Sequence, residues 1–460
     1  MGNKKNAWLK FDNTKKEEIF SFCEGYKKYI SDCKTERESI KEAIYLAESK
    51  GYRDLKNVIS AGKSLKAGDK VYYNNMDKSL ALFLIGSESI ESGMRIIGSH
   101  VDSPRLDLKP NPLYEDSELS LMETHYYGGV KKYQWVTIPL ALHGVVVKKD
   151  GTKIDVVVGE EETDPVVMVS DLLVHLASEQ QQKKATEVIA GEDLNILVGS
   201  MPLEGEEKEA VKANILKLLK EKYDFEEEDF MSAEIEIVPA GKARDLGLDR
   251  SMVAGYGHDD RICAYTSLLA LLETESVKKT SVVLLVDKEE VGSIGATGMQ
   301  SRFFENAVAE LMDRVGAYSE LKLRRALANS KMLSSDVTAA FDPNYAGAYE
   351  KKNSAFFGKG LAFAKYTGAR GKSGCNDANA EFVAWLRNVM DENDVAYQMA
   401  ELGKVDQGGG GTIAYILAEY GMEVIDCGVA LQNMHAPWEV ASKVDIFETM
   451  RGYKAFLMAE

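Results

Sequence analysis

The chain has 460 residues, 45% hydrophobic and 28% charged, which is the composition of a folded globular protein and too long for one compact core of ordinary size. Its formal net charge is −17, so it repels phosphate backbones and anionic surfaces, and neither nucleic acid nor membrane is an expected partner. The five cysteines, Cys23, Cys33, Cys263, Cys375 and Cys427, are scattered, odd in number and form no CxxC pair, which argues against a disulfide framework or a thiolate zinc site and for a reducing compartment, the cytoplasm.

The N-terminal stretch lacks the apolar core of a signal peptide. Gly2 invites a myristoylation reading, but position 6 is Asn6 rather than Ser or Thr. No apolar run approaches the roughly 18 residues needed to span a bilayer. Lys15 to Ser49 reads as helical, with apolar positions at helical spacing and no proline. Arg95 to Ser99 reads as a buried strand with His100 and Asp102 at its C-terminal end. The segment 108–248 has a different texture. ALHGVVVKK and KIDVVVGEE flank Asp150-Gly151, a hairpin signal, and a polar acidic stretch runs from about Glu204 to Asp229. We expect a β-rich second domain here, inserted into a catalytic domain formed by 1–107 and 249–460.

Beyond the insertion, helices are expected over Ile262 to Glu275, Phe303 to Leu327 and Asp377 to Met390. Buried strands are expected over TSVVLLVD (ending at Asp287), Lys331 to Ser335 and MEVIDCGVAL (422–431). Strands alternating with helices predict an α/β domain with a mixed, largely parallel sheet flanked by helices.

In such a sheet, functional groups collect at the carboxyl ends of strands. The polar residues that follow the apolar runs are His100 and Asp102; Asp287, Glu289 and Glu290; Asp336; and His435. Asp259 and Asp260 open a helix. All are His, Asp or Glu, a donor set suited to Zn²⁺ and similar ions. The set is larger than one catalytic zinc needs and fits two ions about 3.5–4 Å apart that share a bridging carboxylate, with one carboxylate kept off the metals as a base. Glu289 and Glu290 supply both roles only if the chain is irregular there, since neighbours on a regular strand face opposite ways; Gly292 and Gly295 provide that freedom. An acidic pair is more often a solvated loop, and each motif alone is weak. His125, His143 and His175 have no comparable setting, and His258 reads as a neighbour of Asp259 rather than a ligand.

SHVDSPRLDLKP (99–110), DKEEVGSIGATGMQ (287–300), SSDVTAAFDPNY (334–345), Gly408 to Gly411 followed by Thr412, and MHAPWE (434–439) occur in that order. Together they resemble the M18 metallopeptidases, the aspartyl aminopeptidase and aminopeptidase I group. HYYGGV and SDLLVHLASEQ, within the insertion, are similar to family stretches too. The resemblance implies that His100, Asp259, Glu290, Asp336 and His435 bind two divalent ions, zinc before manganese or cobalt. It implies that Asp259 bridges them, that Asp102 orients His100, and that Glu289 is the general base. It further implies hydrolysis of the N-terminal residue from short peptides, and a homo-oligomer, a dodecamer built from dimers joined through the inserted domain. Two departures stand out. Asp260 occupies a position often held by Asn. The stretch from Lys365 matches loosely: Lys365 resembles a lysine that pairs with an acidic substrate side chain, but Arg370 and Lys372 replace its expected neighbours. The first residue preferred is therefore neutral or acidic, with a slight lean to neutral. The competing expectations are a related carboxypeptidase or deacylase, and a self-assembling shell that has lost catalysis.

Overall fold

The computed structural model describes residues 5–460 and divides into two compact units. The first comprises residues up to Asp102, Ala243–Met434 and Glu439–Glu460; the second comprises Ser103–Lys242 and His435–Trp438.

The first unit is built on a nine-stranded sheet in the order Arg53–Asp54, Lys70–Asn75, Ser79–Leu84, Ser281–Val286, Arg95–His100, Lys331–Ser335, Glu423–Gly428, Leu361–Ala364, Tyr397–Met399. The four central strands, from Ser281–Val286 to Glu423–Gly428, are parallel, and an antiparallel neighbour flanks them on each side. Their near-continuous apolar character follows from burial on both faces. Ile97, Val283, Leu285, Leu333 and Ile425 join one core cluster. Ile96, Val282, Leu284, Met332 and Val424 join another. A smaller five-stranded sheet carries Arg244–Leu246, Met252–Gly255, Glu439–Ser442, Ala430–Gln432 and Thr338–Ala339.

The second unit is a seven-stranded sheet, with order Lys153–Val158, Leu140–Val147, Ala233–Pro239, Arg105–Asp116, Leu119–Tyr127, Ile196–Gly199, Met168–Val169. The Asp150-Gly151 hairpin forms as expected: Leu140–Val147 pairs antiparallel with Lys153–Val158, and Gly151 takes φ +88° at the turn. The polar stretch that sequence reading left without structure holds an α-helix, Ala210–Tyr223.

Several element boundaries differ from expectation. The helical region 15–49 is two helices, Asn13–Asp32 and Glu36–Ser49. The second starts at a capping box: Thr35 Oγ1 accepts from the Glu38 N–H at 3.2 Å and the Glu38 carboxylate accepts from the Thr35 N–H at 3.0 Å. The region 303–327 is also two helices, Phe303–Arg314 and Glu320–Ala328, broken where Gly316 turns to φ +73°. The helix expected from Ile262 starts at His258, and that expected from Asp377 starts at Ala380. The strand expected over 422–431 splits at Val429, and its second half, Ala430–Gln432, enters the smaller sheet. Among the described residues no helix is long and apolar enough to cross a membrane.

One charged cluster ties the first unit together. Asp245 Oδ1 lies 2.7 Å from both Lys27 Nζ and Lys443 Nζ, and its Oδ2 lies 2.6 Å from Arg250 Nε. Burial favours the protonated acid, but hydrogen bonds from these three cations outweigh it and hold the Asp245 carboxyl well below the usual range. The Lys443 side chain is fully buried. Asp245→Ala therefore strands a buried ammonium and should cost ~3–5 kcal/mol in urea unfolding, whereas adding Lys443→Met to it should recover most of that loss.

Candidate metal centre

His100 ends the strand Arg95–His100 between two parallel neighbours, so its imidazole stands where the central strands release their side chains. It is buried. Its Nδ1–H donates to the Asp102 carbonyl at 2.9 Å, with the Asp102 carboxylate at 3.3 Å. That fixes the tautomer and leaves a lone pair on Nε2. Facing Nε2 are carboxylate oxygens of Asp259 at 3.2 Å, Asp336 at 3.7 Å and Glu289 at 4.0 Å.

Each acid reaches this point by a different route. Asp336 directly follows Lys331–Ser335, and its N–H donates to the Cys427 carbonyl at 2.7 Å. Asp259 lies in the first turn of His258–Leu272 but has non-helical backbone angles, as does Asp260. The Asp259 N–H donates to Glu439 at 3.1 Å. Glu289 and Glu290 are neighbours able to converge because the strand has ended at Val286. Lys288 turns to φ +69°, and Glu289–Val291 is a 3₁₀ turn closed by Gly292 at φ +96°. The Asp102 carboxylate binds both of their backbone N–H groups, Glu289 at 3.1 Å and Glu290 at 3.2 Å. Asp102 thus sets the His100 tautomer through its carbonyl and the path of the glutamate turn through its carboxylate.

The site carries far more negative than positive charge. Burial opposes a charge on His100, yet Asp102, Asp259 and Asp336 outweigh it and raise its proton affinity well above normal. Burial pushes Glu289 up to about 8, with Asp336, Asp102 and Asp259 adding to it. Asp336 and Asp260 are raised for the same first cause. An imidazole lone pair opposed to several carboxylates repels them unless a cation lies between, and this nitrogen and oxygen set suits zinc-like ions. Two groups have donor atoms all within 4.8 Å of one another: His100 with Asp259 and Glu290, and His100 with Asp260 and Asp336.

The structure therefore brings together His100, Asp102, Asp259, Glu289, Glu290 and Asp336. It adds Asp260, whose Oδ2 accepts the His100 backbone N–H at 3.3 Å. It also shows what Asp287 does: this buried acid accepts from the Thr297 hydroxyl at 2.6 Å. Sequence reading assigned neither acid a role, and nothing in their spacing signalled these bonds. His258 is engaged at Nδ1 by the Tyr26 hydroxyl, and burial pushes its pKa down to about 3. His435 falls in the second unit, where its Nδ1–H donates to the Gly129 carbonyl at 3.0 Å. Lys365 is exposed, and its Nζ lies 3.6 Å from Asp377, which Lys372 holds at 2.9 Å.

Residues 29–457 match the family described as aminopeptidase I zinc metalloprotease (M18). A probable M18 family aminopeptidase 1 of Clostridium acetobutylicum is 66% identical over 454 residues, covering 98% of each chain. The crystal structure of an M18 family aminopeptidase from Thermotoga maritima superposes with a TM-score of 0.95 at 46% identity, covering 99% of each chain. The S. cerevisiae mApe1 dodecamer, at 20% identity and a TM-score of 0.77 over 95% of this chain and 96% of that one, shares the fold.

Replacing the Asp102 side chain leaves the carbonyl that accepts the His100 Nδ1–H but removes the carboxylate beside the imidazole and the anchor of the glutamate turn. Asp102→Ala should weaken zinc binding roughly 10–100-fold, measured by competition with a chromophoric chelator.

Proposed function

The chain belongs to the M18 family of aminopeptidase I zinc metalloproteases, and from that premise we propose that it removes the N-terminal residue of short peptides with two divalent ions held by His100, Asp259, Glu290, Asp336 and His435. The observation that carries this reading is the His100 lone pair facing the oxygens of Asp259, Asp336 and Glu289 across 3.2 to 4.0 Å. Asp259, nearest to Nε2, is the proposed bridge. For His435, the bond from Nδ1 to the Gly129 carbonyl leaves Nε2 as the donor atom.

Divalent ions held by these residues would supply Lewis acidity toward the scissile carbonyl and a more acidic water. Glu289 is not needed as a ligand in this assignment. Its carboxylate takes the proton of the attacking water and returns it to the leaving amine. The Asp102 carbonyl keeps a proton on His100 Nδ1 and turns Nε2 toward the acids, and its carboxylate holds the Glu289 backbone, so the base and the ligand set keep a common reference.

Lys365 bears on the choice of first residue. It is 46% exposed and already faces Asp377, so it is neither desolvated nor short of a counter-charge. That favours neutral or broad specificity over an acidic preference. The free cysteines, four of them buried, suit a reducing cytoplasm. We assign the second unit to subunit contact in a homo-oligomer, a dodecamer as in mApe1. Leu172, Leu173, Val174 and Leu176, 46–68% exposed, are the supporting surface.

Glu289→Gln should lower kcat about 10²–10⁴-fold while metal analysis of the purified protein still finds both ions; loss of one ion would mean that Glu289 and Glu290 exchange roles. In an aminoacyl-substrate panel, the wild type should favour Leu, Ala or Met over Asp. Lys365→Ala should change each rate by less than about fivefold, the scale of an exposed ion pair. A wild-type preference for Asp that Lys365→Ala abolishes would assign Lys365 to the substrate.

A further inference from the structure

After the glutamate turn the chain folds back on itself. It leaves the strand Ser281–Val286 at Asp287, makes the turn Glu289–Val291, and returns so that Gly298 pairs with Asp287 in a parallel bridge. Residues 294–296 form an exposed tip, and the returning leg, 297–299, is buried. The two legs cross at Gly298, where a Cβ would lie 2.2 Å from the Ser293 carbonyl oxygen, so only glycine lets them meet.

The returning leg is fastened by side chains. The Thr297 hydroxyl donates to Asp287 Oδ2 at 2.6 Å, and both residues are buried. The Ser79 hydroxyl, on the strand that flanks Ser281–Val286, donates to the Thr297 carbonyl. Asn75 Nδ2 donates to the Ala296 carbonyl at 2.9 Å. Within the loop, the Ser293 N–H donates to the Lys288 carbonyl at 2.7 Å and the Gln300 N–H to the Ser293 carbonyl at 3.1 Å. A valine at 297 would fill the same space without a polar group to bury. What the hydroxyl adds is a directed bond to a carboxylate two residues before Glu289.

The two glutamates on the turn are not held alike. Asp102 ties both backbone N–H groups, and an ion on Glu290 would tie its carboxylate as well. Glu289, kept off the ions, has no second tie, so its aim depends on the backbone of the turn and on the leg that closes it. We propose that Thr297 is a positioning residue for the general base: its hydroxyl, bonded to Asp287, closes the loop that carries Glu289 and fixes where the Glu289 carboxylate points. This rests on the reading of Glu289 as the base.

The test compares Thr297→Val, Thr297→Ser, Thr297→Val combined with Asp287→Asn, and Glu289→Gln in the full-length protein. Zinc content, kcat and KM on one substrate are read from the zinc-loaded form, and amide exchange at Ser293 and Gln300 from the metal-free form. Thr297→Val should keep its zinc and its KM while kcat falls about 10–100-fold, the scale of a base displaced by up to about 1 Å. Its Ser293 and Gln300 amides should exchange about fivefold faster, as for the loss of one hydrogen bond. Thr297→Ser, which keeps the donor, should match the wild type in every reading. Should a stranded Asp287 carboxylate unfold Thr297→Val, the double variant, with no charge at 287, gives the same readings. If Thr297→Val keeps its kcat and slow exchange while Glu289→Gln loses turnover, the positioning role is overturned and the base reading stands. If Thr297→Ser loses as much as Thr297→Val, packing by the methyl group is responsible and the proposal is overturned. Loss of zinc together with kcat in Thr297→Val would overturn it too, since the loop would then serve Glu290. Full turnover in Glu289→Gln would overturn the base reading and this inference together.

Discussion

The rest of the site depends on a buried imidazole nitrogen that faces several carboxylates. His100 Nε2 meets Asp259, Asp336 and Glu289 at 3.2, 3.7 and 4.0 Å, with Asp260 and Glu290 in the same groups of donors. Burial and the neighbouring carboxylates lift the proton affinity of Glu289 and Asp336, and the carboxylates lift that of His100. Protons and divalent cations are the two ways to relieve such a site, and a cation of charge two relieves more of it at neutral pH. Much of the surrounding architecture serves to keep these groups together against their mutual repulsion.

The Asp245 cluster shows the same ingredients resolved differently. There one carboxylate meets Lys27, Lys443 and Arg250, and its proton affinity is depressed. Three cations around one acid satisfy the charge within the chain and make a structural joint. Around His100 several carboxylates share one imidazole, and burial raises the proton affinity of Glu289 and Asp336. The contrast in direction separates a functional centre from a structural ion network, one raising the proton affinity of its acids and the other holding its acid ionised.

Asp102 shows how few groups can hold such a centre. Its carbonyl and carboxylate act on His100, and its two carboxylate oxygens act on the glutamate turn. Glu289 and Glu290 on that turn therefore keep their relation to the imidazole even though 189 positions separate His100 from Glu289. The parallel strands Ser281–Val286, Arg95–His100 and Lys331–Ser335 supply the rest, because parallel pairing brings their C-terminal ends to one level.

Much of this was legible in the chain itself. Apolar β-branched runs ending in His, Asp or Glu marked the strand ends, and Asp150-Gly151 between alternating strands marked a hairpin, because both signals are local: side-chain period and turn chemistry need no knowledge of distant residues. The resemblance to M18 motifs supplied His100, Asp102, Asp259, Glu289, Glu290, Asp336 and His435 as a set with roles attached. Only the tertiary structure decided where the helices break at Thr35 and Gly316, that the Asp260 carboxylate accepts the His100 backbone N–H, that Lys365 faces Asp377, and that Tyr453 bonds the hydroxyl of Ser335 beside Asp336. These depend on hydrogen bonds between residues up to 160 positions apart and on how far burial strips water from each group. Neither is a property of a residue's neighbours in sequence.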